Sequence, residues 1–162
     1  MTKKEKWIHF LDIIEKLVII LGFPFAIWQY KTATDKEKYD RDYEVYNSLD
    51  NKYIEWQNLC LAHPYLDISD IKDSISPKLN LTQEKEEVIL FSILFSLFER
   101  AYLLYNKESN PMMQGQWEGW DEYIDTYCQR KNFREIWIKY GYSYDPNFTN
   151  YMNEKIKNLP LQ

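Results

Sequence analysis

The chain has 162 residues, with 20 Lys/Arg against 25 Asp/Glu and a formal net charge of −5. That balance disfavours broad binding to duplex DNA, which depends on neutralising phosphates with basic side chains. Four glycines argue against a phosphate-cradling or dinucleotide-binding loop, and two histidines leave no credible zinc site.

The first predicted element is a helix of membrane length, WIHFLDIIEKLVIILGFPFAIWQY, from Trp7 to Tyr30. About 22 residues at 1.5 Å each span roughly 33 Å, enough for a hydrocarbon core of about 30 Å. Trp7 and Phe10 stand near one end and Trp28 and Tyr30 at the other, where amphipathic rings favour the headgroup level. At about 100° per residue, Glu5, His9, Asp12 and Lys16 share one narrow face, and Ile20, Phe23 and Ile27 continue it. Charges within a bilayer normally face a bundle interior or a watery cavity and pair with one another. Asp12 and Lys16 are an i, i+4 pair with the acid first. Copies packed about an axis would make a path polar at its mouth and narrowed by apolar rings deeper in.

Two readings of the stripe stay open. In the first the helix spans the membrane and hides its charges against sister copies. In the second, residues 1–16 lie flat on the surface and only Leu17–Trp28 is buried, a core of roughly 18 Å that is too short to cross alone. Pro24 removes a backbone donor opposite Ile20, so a kink is expected near Gly22-Phe23-Pro24. No cleaved leader is expected, because acidic residues precede the apolar run and no small-x-small site follows it.

The segment from 31 to about 62 reads as one helix. Tyr39, Tyr43, Tyr46, Leu49, Tyr53, Trp56 and Cys60 recur at threes and fours, a stripe suited to bundle packing. Pro64 ends it, leaving His63 as a C-terminal cap. A loop over 64–81 carries Asp67, Asp70 and Asp73, but their spacing lacks the alternate ligands and the glycine of a calcium loop. A helix from about Thr82 to Asn106 is apolar on nearly every face; Glu99 and Arg100 interrupt it, so it is expected as a buried central helix. Ser92 and Ser96 are expected to bond back to the backbone.

Asn110-Pro111 predicts a turn ending near Gly115. A short helix follows with Trp117, Trp120, Ile124 and Tyr127 inward. Asn132 with Glu135 has capping-box spacing for the next helix, which ends at Gly141. Asp145-Pro146 predicts an N-cap and first-turn proline for the last. No run alternates with period two. The fold class is all-α: an N-terminal transmembrane helix (1–30), then a helical-bundle cytoplasmic domain (31–162). Cys60 and Cys128 show no CxxC spacing and read as reduced thiols, which favours the cytoplasmic side.

No nucleophile–base arrangement stands out, so the chain is expected not to be an enzyme and to need no cofactor or metal. The ligand candidates are Arg130, Arg134 and Lys139, with Lys131 beside them and Trp117 and Trp120 near in sequence; arginine forks suit phosphates and indoles stack on bases. The competing reading pairs these bases with Glu99, Glu118, Asp121 or Glu135 and puts both indoles in the core.

The segments LVIILGFPFAIWQ, DNKYIEWQNLCLAHPYLDI, FSLFERAYLLYN, QWEGWDEYIDTY and RKNFREIW cover most of the chain. In their order it resembles a widespread group of small bacterial membrane proteins with one N-terminal span. By layout it is also similar to membrane effectors of antiphage systems, with the channel subunits of Hailong defence as the nearest type. The resemblance implies an inner-membrane location, a homo-oligomer in the lipid bilayer, a nucleotide or oligonucleotide signal, and a partner protein from the same defence system. The rival expectation is a membrane-anchored scaffold without pore activity.

Overall fold

The computed structural model describes residues 3–71, 78–106 and 111–161, without the side chains of Glu5, His9, Asp42, Val45 and Met112. The described residues form five α-helices, α1 (Lys3–Ala62), α2 (Leu81–Tyr105), α3 (Pro111–Cys128), α4 (Lys131–Tyr140) and α5 (Pro146–Asn158), with one 3₁₀ turn, Gly141–Ser143, between the last two. There is no strand among the described residues. The chain divides into two compact units, Met1–Asn47 and Ser48–Gln162. The boundary between them falls inside α1.

The first unit holds only the part of α1 up to Asn47. Its large apolar side chains from Trp7 to Tyr30 are all exposed, and Pro24 lies within the helix. Tyr39 and Tyr43 stack one turn apart at 6.4 Å.

The second unit is built around α2. Leu90, Phe91, Leu94, Phe95, Leu97, Phe98, Ala101, Tyr102 and Tyr105 are buried, and α3, α4 and α5 all pack against this helix. By length and composition, one helix among the described residues qualifies as a membrane span, and it is α2; half of its apolar window is buried. The N-terminal helix is not the one so selected.

Aromatic rings meet mostly edge-on at the centre: Phe95 with Phe133 at 4.9 Å, Phe91 with Phe133 at 5.5 Å and Phe98 with Tyr127 at 5.7 Å. Such contacts add to the area each ring removes from water. The last turns of α1 join this core through Trp56, whose indole N–H donates to the Tyr127 hydroxyl at 3.3 Å, and Gln57, which donates to the Tyr123 hydroxyl at 3.1 Å.

Several termini differ from expectation for local reasons. Asn80 starts α2 with a capping box: its Oδ1 accepts from the amides of Thr82 and Gln83, while Gln83 Oε1 accepts from the Asn80 amide. Helix α3 starts at Pro111 and runs through Gly115 and Gly119, where a turn was expected up to Gly115. Proline suits a first helical position, and burial of Ile124 and Tyr127 offsets the roughly 1 kcal/mol that each interior glycine costs.

Asn132 does not cap α4. Arg130 holds the N-cap position, while the Asn132 side-chain amide donates to the Asp67 carbonyl and to Glu87 Oε1, each at 2.8 Å. His63 meets the Tyr65 hydroxyl at 2.8 Å, which in turn donates to Glu86. Asp145 does cap α5, accepting from the amides of Asn147 and Phe148, and Ser92 and Ser96 do bond back to Val88 and Ser92 carbonyls.

Candidate functional site

On α1, Asp12, Lys16, Ile20, Phe23 and Ile27 follow one another at steps of four or three and so share a face. Lys16 Nζ donates to Asp12 Oδ2 at 2.8 Å, and both side chains stay about half or more exposed. Ile20, Phe23 and Ile27 are 63%, 71% and 55% exposed. The side chains of Glu5 and His9 lie outside the described residues. Trp7 and Phe10 pack edge-on at 6.2 Å, and Phe25 lies 5.8 Å from Trp28.

The second candidate set disperses. Arg130, at the turn between α3 and α4, is only 4% exposed. Its guanidinium pairs with the buried Asp67 carboxylate and also donates to the carbonyls of Asp67 and Ser69. Its Nε is buried without an acceptor among the described residues. The Tyr127 hydroxyl donates to the Ile68 carbonyl at 3.0 Å. Four donors from the α3–α4 corner therefore hold the segment between α1 and α2, and Leu66, Asp67 and Ile68 are buried there.

Arg134 points elsewhere: it donates to the Cys128 carbonyl and to Leu159 and Pro160 carbonyls at 2.7 and 3.1 Å, tying α4 to the chain beyond α5. Trp117 packs on Tyr102 and Tyr151, and Trp120 on Tyr53 and Phe98. Both indoles are half-buried. Lys139 lines a cleft between α2 and α4. The five residues thus serve four separate places, and the two arginines already bind carbonyls.

Asp67 is the partner that sequence reasoning missed. It stands near Asp70 and Asp73 in sequence, and nothing in their even spacing marks one acid for burial; Asp73 lies outside the described residues. Other acids are also engaged. Tyr151 donates to Asp121, and Lys155 binds Asp121 at 2.9 Å and also Asp125. Burial, with these carboxylates nearby, pushes the Tyr151 phenol far above its ordinary range. Burial also raises the Glu87 carboxyl, against the opposing hydrogen bond from Asn132. No group of three or more His, Cys, Asp or Glu among the described residues could hold a metal ion.

No protein-family model, curated protein or solved structure matches the chain significantly. The geometry alone defines two features: an exposed apolar helix with a polar stripe, and an aromatic bundle braced by a buried ion pair.

Proposed function

We propose that this chain is a homo-oligomeric bacterial inner-membrane protein whose N-terminal helices cross the lipid once and together form a ligand-gated or membrane-disrupting pore, with the helical domain in the cytoplasm. By its layout it serves as an effector in antiphage defence. Asp12 and Lys16 sit at the polar mouth, and Ile20, Phe23 and Ile27 form the constriction. One observation carries the reading: the large apolar side chains of α1 from Trp7 to Tyr30 are all exposed. Water does not tolerate so large a patch, and lipid and sister helices are surfaces that cover it. The Asp12–Lys16 bond lets the two charges enter that environment as a pair.

Planar-bilayer recordings on the purified protein test this. Conductance that changes with Asp12→Ala supports the pore, and a membrane that stays silent across nucleotide and oligonucleotide signals opposes it. Stoichiometry in detergent separates the rival class: a closed ring of three or more copies fits the pore, whereas a monomer fits an anchored scaffold.

A further inference from the structure

Between the first turns of α2 and the outer side of α4 lies a cleft of about 830 Å³. Leu79, Val88, Ile89 and Ile136 give it apolar walls, with Tyr140 beside them. Volumes of this order accommodate small organic molecules. Three ammonium groups line it, from Lys78, Lys85 and Lys139, and no carboxylate among the described residues pairs with any of them.

Three acids share the lining, and two of them are engaged by other side chains. Glu135 pairs with Lys131 at 3.8 Å. Glu87 accepts from the Asn132 side-chain amide at 2.8 Å, and burial raises its carboxyl. Glu84 stands in the first turn of α2, where the helix dipole compensates it. The amides of Thr82 and Gln83 are already taken by Asn80, so any anion must be held by the lysines.

The cleft is wired to the segment that follows α1. Asn132, in its wall, donates both to Glu87 and to the Asp67 carbonyl, and Arg130 holds the same carbonyl from the other side. A ligand that displaces Asn132 or Glu87 therefore acts on the bonds that fix residues 66–69.

We propose that this cleft binds a small organic anion, an apolar body carrying one phosphate or carboxylate group, and that its occupancy is transmitted through Asn132 to the segment joining α1 and α2. For its regulatory meaning the site rests on the pore reading; binding itself does not.

Hexyl phosphate is a suitable probe, with hexanol, hexylammonium and inorganic phosphate as controls, each added to the full chain in nanodiscs. Hexyl phosphate is expected to raise the unfolding midpoint by about 3 °C or more. Lys139→Glu and Lys85→Glu are expected to weaken binding at least about tenfold, with Lys157→Glu on α5 unchanged. Hydrogen exchange at residues 66–69 is expected to change on binding, and this response is lost in Asn132→Ala. The proposal fails if no probe shifts the midpoint, if hexylammonium or inorganic phosphate matches hexyl phosphate, or if Lys139→Glu keeps the shift, as partition into lipid would. These readouts need no conductance, so a silent bilayer leaves the cleft standing and an empty cleft leaves the pore standing.

Discussion

Arg130 and Asp67 form an ion pair in which both side chains are more than nine-tenths buried. It joins the α3–α4 corner to the segment that links α1 and α2. The arginine reads that segment's backbone as well as its charge, through the carbonyls of Asp67 and Ser69. Such a pair need not exceed a well-packed apolar contact in stability, but it fixes one arrangement of chain and corner.

Removing one partner leaves the other charged and buried. Arg130→Met is expected to cost about 3–5 kcal/mol in equilibrium unfolding followed by tryptophan fluorescence, and Arg130→Met with Asp67→Leu to recover part of that loss. If the single and double variants unfold alike, the pair is not what holds this segment.

Gly141 tests packing at the end of α4. A Cβ there would lie 2.5–2.8 Å from the Trp137 indole, closer than van der Waals contact permits. Trp137 is 2% exposed and stacks on Tyr144 at 5.6 Å, so it has little room to yield. Gly141→Ala should destabilise by about 1–3 kcal/mol and alter the near-ultraviolet dichroism of the indole. An unchanged melting curve would contradict the close approach.

Glu87 supplies a pH dependence. Its carboxyl is raised above the ordinary 4.5, first by burial. A raised folded value contributes stability below the unfolded pKa and loses it as pH rises through the folded one. Glu87→Gln removes the charge and keeps an acceptor for Asn132. The variant should therefore gain stability relative to the parent at pH 7, and the gain should shrink towards pH 4.5. Melting both proteins across that range decides the sign.

The two thiols should resist modification. Burial pushes Cys60 from 9.0 to about 11 and Cys128 to about 12. At pH 8 the Cys60 thiolate is then about 100-fold scarcer than in an ordinary thiol. Titration with an aromatic disulfide reagent should register no fast-reacting thiol in native protein and both after unfolding.

At α5, Asp145 satisfies two otherwise unpaired amides. Asp145→Ala should cost about 1 kcal/mol, whereas Asp145→Asn should cost less, because it keeps an acceptor at the same place. Thermal melts of both variants give the comparison.

What could be read from the residues alone follows from local physics. The apolar run around Phe91–Phe98 predicts a helix buried at the centre, since only a surrounded helix can be apolar on nearly every face. Asp145-Pro146 predicts a helix start, because cap and first-turn chemistry act within four residues. Asn132 with Glu135 had the right spacing but the wrong outcome: Asn132 instead meets Asp67 and Glu87, residues far away in sequence.

Composition and periodicity by themselves determined that the chain is helical, rich in aromatic core and opened by an apolar segment with a polar stripe. Only the tertiary structure decided that Arg130 is buried on Asp67 rather than free, that Arg134 is spent on carbonyls beyond α5, and that Lys139 lines a cleft with Lys78 and Lys85. Propensity, capping and hydrophobic period are set by neighbours within a turn or two. The partner of a long charged side chain depends on which distant segments the packing of α2 brings within its reach.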